Sequence, residues 1–365
     1  MSVFFKDISP GNPVRAGDVE KLLEPLGLTS ACQTSQTTSL YPILSDFAVT
    51  IYTFRPRMNK HMAMLGLIAS SSEEMHLLRP IARSVDEIAE CLDTIAGYDG
   101  VDDRSLAAPP PGSLTYKKSL KSFGSRLDGV RVAVLKEGYD NDLMQPGVRR
   151  SFLEAVKRIE ALGGAVKEVS IPLHKEGPSI WTIQQRISGT SGILGHANGR
   201  RGLYLTEFEH ARLPWTAQNF DKLFPSTKNT VINGLYLTHE FPGLYAKTVN
   251  IGRRIADAYE TTFKEYDVII MPTTPFVAPR HGDKGAVLQS FEPSMGMTVN
   301  TAVFNVTGHP ALSLPIGWSE AVDDDQTMLP VGMQIVGGLW QETQILRVAK
   351  AVEQSFDWKV PYSLA

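Results

Sequence analysis

Apolar residues recur at intervals of three and four in several parts of the chain, which is the spacing of one face of an α-helix. The stripes are Ile88, Leu92 and Ile95; Phe152, Val156, Ile159 and Leu162; Val249, Ile255, Tyr259 and Phe263; and Ile345, Leu346, Ala349 and Val352. Ser84 and Glu87 precede the first stripe as a capping box, since each side chain can satisfy a free backbone N–H. The pattern predicts four amphipathic helices, one of which opens at Pro146.

Short apolar runs bounded by glycine or proline predict β-strands. The runs are 47–54, 129–135, 165–171, 267–271, 311–316 and 331–336. The run 267–271 is apolar after its first residue, which is typical of a strand buried on both faces. Strand, helix and strand follow one another over 129–171, and this order indicates a parallel α/β unit.

These elements predict an α/β fold with a mixed β-sheet core flanked by helices on both faces. We divide the chain into a divergent N-terminal segment, 1–45, and an α/β domain, 46–365. A surface connection at about 98–115 contains the Pro109-Pro110-Pro111-Gly112 turn signal. The segment 172–245 has no pattern clear enough to assign.

Charge and composition exclude several kinds of partner. The 365 residues carry a formal net charge of -3, whereas nucleic-acid binders normally show a basic excess. No apolar run reaches the roughly 18 residues that a membrane span needs, and the first residues lack a signal-peptide core. Two cysteines, Cys32 and Cys91, make no disulfide framework. We therefore expect a cytoplasmic protein with no nucleic-acid or membrane partner.

Several segments resemble the amidase-signature family of amide hydrolases. They are Ile81–Ser105, Asp128–Gly138, Asp267–Pro275, Asn305–Gly317 and Leu329–Gly337. The last two are the most specific, because their prolines and glycines fall at family positions. The resemblance covers residues 46 to 360 and implies a small carboxylic amide as substrate, with no cofactor and no metal.

The same resemblance implies a catalytic lysine, a bridging serine, a nucleophilic serine and a Gly/Ser-rich oxyanion loop. The family carries them just before the strand that here contains Phe54, yet no glycine lies between Gly27 and Gly66. We therefore assign no catalytic residue. The implied missing segment would also supply central strands, leaving Val268 to Met271 on an unpaired edge. Low solubility or self-association as a homo-oligomer is the expectation.

Three residues are candidates for contact with substrate. Thr273 and Thr274 follow a buried strand, where clefts of α/β proteins open, and Trp181 could form an aromatic wall. Turn chemistry and core packing are the alternative roles for all three. The run Ser188-Gly189-Thr190-Ser191-Gly192 superficially resembles a catalytic loop, but we interpret it as a polar surface loop.

Other candidates have simple structural interpretations. His174, His196 and His210 lack metal spacing, so we expect them at the surface or satisfied in the core. We interpret Cys91 as a small apolar helix residue.

Two functions follow from the resemblance. One is an amidase-like hydrolase that converts a small carboxylic amide to an acid and ammonia or an amine. The alternative is a catalytically inactive amidase-like protein that binds a ligand or partner. An unstable fragment with no function of its own is a third hypothesis.

Overall fold

A computed structural model describes residues 49–53, 80–98, 108–110, 112–196, 206–207, 210, 213–280, 293 and 295–357. Within these residues the chain forms one seven-stranded sheet. Its strands are β1 (Val49–Thr53), β2 (Ile81–Ala82), β3 (Arg131–Leu135), β4 (Ala165–Val169), β5 (Val268–Pro272), β6 (Ala311–Ala321) and β7 (Asp324–Gly337). Their order across the sheet is β2-β1-β6-β7-β5-β3-β4.

The sheet is mixed, as predicted. β3 pairs in parallel with both β4 and β5. The pairs β5–β7, β6–β7, β1–β6 and β1–β2 are antiparallel. β5 therefore lies between β3 and β7, so the prediction that Val268 to Met271 form an unpaired edge is wrong. Because both neighbours come from within this chain, the expectation of self-association loses that support and stays an untested prediction.

Helices cover both faces of the sheet. They are α1 (Val85–Ile95), α2 (Tyr116–Lys121), α3 (Lys136–Tyr139), α4 (Pro146–Ala161), α5 (Gly177–Ile193), α6 (Ala217–Asp221), α7 (Pro225–Glu240), α8 (Leu244–Phe263), α9 (Ala302–Thr307) and α10 (Glu342–Ser355). Helices α1, α2, α4 and α10 build the core on one face, and α5, α8 and α9 build the core on the other. Alternate strand residues point to opposite faces, so Ile270 enters the first core and Ile269 the second.

The predicted helix starts are largely confirmed. Ser84 caps α1 by accepting from the Glu87 N–H at 3.3 Å. Glu87 completes the cap one residue earlier than a standard capping box, because its carboxylate accepts from the Arg83 N–H at 2.8 Å. Pro146 is the first residue of α4, where its missing N–H leaves no helical bond unmade.

The strands near the carboxyl terminus are longer than their apolar runs. β6 and β7 form one long hairpin whose paired residues run from Ala311 with Val336 to Ala321 with Asp324. Its outer half is polar and half exposed, so hydrophobicity alone predicted only the buried inner half.

The prediction of a surface loop at Ser188–Gly192 is wrong, because these residues lie inside α5. Thr190 is buried and donates from Oγ1 to the Thr230 carbonyl at 2.9 Å. A Cβ at Gly234 of α7 would lie 2.0 Å from Thr190 Oγ1. Small residues on both helices therefore permit a close α5–α7 contact, and a Gly/Ser-rich sequence becomes a packed helix.

Some predictions fall outside the described residues. They include the boundary at residue 45, the strand residue Phe54 and most of the connection at 98–115. Of the helices in the described ranges, none combines the length and apolar character that a membrane crossing requires.

Neighbouring residues of α4 provide a test of the first core. Phe152 is completely buried, whereas Leu153 is 38% exposed. We expect Phe152→Ala to lower the free energy of unfolding by about 3–5 kcal/mol, because it leaves a cavity between α4 and the sheet. Leu153→Ala should change it by less than about 1 kcal/mol. Urea denaturation measures both, and equal losses would contradict the described orientation of α4.

Candidate functional site

Polar side chains interrupt the second face of the sheet where β5, β7 and β6 lie side by side. Ser313 of β6 pairs with Gln334 of β7. Thr273 follows the end of β5 and donates its backbone N–H to the Gly332 carbonyl at 2.8 Å. We call Thr273, Ser313 and Gln334 the polar patch. All three are buried, although the strands around them contribute mainly apolar side chains to the two cores.

Two hydroxyl groups of the polar patch are hydrogen-bonded to each other. Thr273 Oγ1 lies 2.6 Å from Ser313 Oγ. A Cβ at Gly332 would lie 2.9 Å from Ser313 Oγ and 3.0 Å from Thr273 Oγ1. Glycine at this position therefore gives the hydroxyl pair room that a larger residue would take.

Gln334 has one satisfied and one unsatisfied end. Its Nε2 donates to the backbone carbonyl of Asn300 at 3.0 Å. Its Oε1 is buried and has no hydrogen-bond partner among the residues that the structure describes. An unsatisfied buried acceptor is unfavourable, and such an atom indicates either a site or a missing contact.

Asn300 connects the polar patch to the ends of two strands. Its Nδ2 donates to the Gly138 carbonyl at 2.8 Å and to the Pro272 carbonyl at 2.7 Å. Its Oδ1 lies 3.1 Å from His174 Nε2. Since both donors of Nδ2 are used on carbonyls, Oδ1 is the acceptor and His174 Nε2 carries the proton.

His174 is thereby held in one neutral tautomer. Its unprotonated Nδ1 accepts from the Tyr259 hydroxyl at 2.6 Å. Burial lowers the pKa of His174 to about 4, although Asn300 and the carboxylate of Glu137 each favour the charged form. Burial also raises the pKa of Tyr259 well above its ordinary value, so this phenol stays a hydrogen-bond donor.

Glu137 lies beside this chain of hydrogen bonds. Its carboxylate accepts from Ser170 Oγ at 2.5 Å and from the Ile171 N–H at 2.9 Å. Burial opposes ionisation, but these hydrogen bonds and the nearby His174 outweigh it, so the pKa of Glu137 is lowered. Glu137 therefore anchors the segment that leads from β4 to His174.

The structure brings only one of the three predicted substrate-contact residues into the polar patch. Thr273 belongs to it, whereas Thr274 uses its hydroxyl to donate to the Phe276 carbonyl at 2.9 Å, which is turn chemistry. Trp181 lies on α5, and its indole Nε1 is buried without a described partner. A substrate contact by any of them stays a prediction.

Sequence reasoning missed Ser313, Gln334 and Asn300. The first two do leave a signal, because each is a single polar residue within an otherwise apolar strand. Asn300 leaves none, since it follows residues with no strong pattern and only its fold neighbours reveal its role.

The other candidates have structural roles. His174 is a satisfied core residue, as one of the two expectations had it, and His196 and His210 are exposed. Cys91 is buried on α1, and burial raises the pKa of its thiol to about 11, which opposes nucleophilic use. Within the described residues, no group of three or more His, Cys, Asp or Glu side chains could hold a metal ion.

Comparison with known proteins identifies the family. The model of the Amidase family matches residues 54–346. The chain belongs to the Amidase family. This confirms the resemblance that the carboxy-terminal motifs carry.

Individual Amidase relatives differ in their stated activities. One component of the glutamyl-tRNA(Gln) amidotransferase of Microcystis aeruginosa is 30% identical over 300 residues, which cover 81% of this chain and 58% of that protein. A solved structure of 6-aminohexanoate cyclic dimer hydrolase with substrate aligns with a TM-score of 0.66 and 25% identity, covering 86% of this chain and 61% of the other. A bacterial aryl acylamidase shares the fold, with a TM-score of 0.63 and 16% identity over 88% and 61% of the two chains. The chain thus spans about three fifths of the length of these relatives.

The neutral His174 predicts an acid-sensitive fold. In the unfolded chain its pKa returns to 6.5 from about 4, so the unfolded state binds more protons as the pH falls. Stability contributed by the neutral ring is complete above pH 6.5 and is lost on acidification, by on the order of 3 kcal/mol in total at about 1.4 kcal/mol per pKa unit.

Urea denaturation between pH 7 and pH 4.5 measures this loss, above the range in which most carboxylates titrate. We expect His174→Gln to be less stable at pH 7 but to have a flatter pH dependence. His239→Gln, which changes an exposed histidine, should keep the wild-type slope. Identical slopes in all three proteins would contradict a buried neutral His174.

Proposed function

We propose that the protein hydrolyses a small carboxylic amide to the acid and ammonia or an amine, and that the polar patch contacts the amide group. Family membership supports the reaction class, and the stated activity of a similar solved structure, the cyclic dimer hydrolase, agrees with it. The observation that carries the proposal is the hydroxyl pair of Thr273 and Ser313 above Gly332, on a sheet that is otherwise apolar.

The chemistry of the polar patch suits an amide. A hydroxyl can donate to a carbonyl oxygen and a glutamine oxygen can accept from an N–H. Buried polar groups are effective at fixing a small ligand because their hydrogen bonds are not exposed to competing water. Trp181 and Thr274 remain proposed secondary contacts. No residue is assigned as nucleophile, base or metal ligand, and we propose no cofactor.

A second candidate function is binding without turnover. It is favoured by the sequence before Phe54, which contains no Gly/Ser-rich run of the kind that the family uses for its nucleophile and oxyanion hole. In that case the polar patch would hold an amide ligand whose C–N bond is not cleaved.

Ammonia release separates the two functions. The purified protein is incubated with propionamide and with benzamide, and ammonia is measured over time against a blank. Hydrolysis predicts release together with labelling by a serine-reactive fluorophosphonate probe. Saturable amide binding with neither release nor labelling would exclude hydrolysis and favour the binding function.

A hydroxyl deletion links the activity to the polar patch. Thr273→Val keeps the shape of the side chain but removes its hydrogen bond, and we expect kcat/KM to fall about tenfold, which corresponds to about 1.4 kcal/mol. Thr261→Val removes an exposed threonine hydroxyl on α8, which donates to the Asp257 carbonyl at 2.8 Å, and should leave kcat/KM unchanged. Equal effects of the two substitutions would separate the activity from the polar patch.

A further inference from the structure

We propose that Gln334 is a specificity-determining residue that admits a ligand amide N–H and disfavours carboxylates and esters. The inference rests on the proposed function, because it places the amide group of that substrate against the polar patch. It adds the reason why this site should distinguish the amide from the acid that hydrolysis produces.

The orientation of the Gln334 amide is set by its neighbour. Its Nε2 faces the backbone carbonyl of Asn300 at 3.0 Å, and a carbonyl can only accept. A flipped side chain would bring two acceptor oxygens together. Gln334 therefore presents Oε1, an acceptor, toward the rest of the polar patch.

Asn300 cannot adjust easily to accommodate a flip. Its side chain holds the Gly138 and Pro272 carbonyls at 2.8 and 2.7 Å, and its Oδ1 accepts from the protonated Nε2 of His174. Tyr259 donates to the other nitrogen of that ring. The donors thus point in one direction from Tyr259 to Gln334, and the chain ends on an unpartnered acceptor.

That acceptor is completely enclosed. Gln334 is 0% exposed and its Oε1 has no partner among the described residues, so a donor that reaches it becomes fully desolvated. An amide N–H supplies such a donor. A carboxylate or an ester presents only lone pairs, and each would place oxygen against oxygen in a site where water does not screen the repulsion.

Ser313 adds the second half of amide recognition. It is the registered partner of Gln334 on the adjacent strand, and paired side chains on one face have Cβ atoms about 4.5–5.5 Å apart. The Ser313–Thr273 pair can donate a hydroxyl to the carbonyl oxygen while Gln334 accepts the N–H. Hydrolysis replaces the C–N bond by a C–O bond from water and moves a proton to the nitrogen. The acid product therefore loses the N–H that Gln334 recognises.

Binding of three ligands of nearly equal shape tests the inference. Benzamide, benzoate and methyl benzoate are titrated into the protein and followed by ligand-observed NMR. We expect the Kd of benzamide to be lower than the other two by on the order of tenfold, which is the range that one unsatisfied buried hydrogen bond corresponds to. This comparison uses the wild-type protein and needs no variant.

Two substitutions on the same strand localise the effect. Gln334→Met keeps the length of the side chain but removes the acceptor, and it should raise the Kd of benzamide to that of methyl benzoate. Gln326→Met changes an exposed glutamine of β7 and should retain the tenfold preference. Near-ultraviolet circular dichroism shows whether each variant keeps its packing.

Two outcomes would overturn the inference. One is equal Kd values for the three ligands in the wild-type protein. The other is a benzamide preference that Gln334→Met leaves intact. Binding of none of the ligands, with a lower Tm for Gln334→Met, would also overturn it, because the partner of Oε1 would then be an N–H of the polypeptide. Ammonia release is measured separately, so hydrolysis can be retained in each of these cases.

Discussion

The side-chain amide of Asn300 joins parts of the chain that lie as far as 162 residues apart in the sequence. It holds the carbonyls of Gly138, beyond β3, and Pro272, at the end of β5, while its backbone carbonyl accepts from Gln334 of β7. Three neighbouring strands are thus connected through one buried residue. Each polar group of its side chain has a partner, which is the condition under which a buried polar network stabilises a fold. The polar patch lies directly beside this connection, so its geometry depends on it.

Close helix packing keeps the same region dry. A Cβ at Gly177 of α5 would lie 2.3 Å from Val303 of α9, and one at Gly252 of α8 would lie 2.7 Å from Val306. These glycines let three helices approach the second face of the sheet closely. His174 and Tyr259 lie in the space that results and pack against Phe304. The low exposure that lowers the pKa of His174 is therefore a product of small residues elsewhere.

Local sequence signals were sufficient for most of the architecture. Ser84, Pro146 and the apolar run before Thr273 act through the backbone and their near neighbours, so helix starts and strand positions could be predicted. The order of strands could not, because it depends on contacts between distant segments. Ser188–Gly192 was misinterpreted for a similar reason: in α5 its small residues pack against Gly234, and tertiary packing overrides their loop tendency. Asn300 acquires its role only when β3, β5 and β7 come together.

The position of β7 also has a consequence for the order of assembly during synthesis. β7 separates β6 from β5 in the sheet, yet its residues, Asp324–Gly337, are among the last to leave the ribosome. Until they emerge, β3, β4 and β5 can form a parallel unit, but its open edge has no partner and the hairpin cannot close. Sequence-distant pairing of this kind slows folding and leaves apolar strands exposed meanwhile. The nascent chain is therefore most exposed to aggregation, and most dependent on chaperones, just before its final strand arrives.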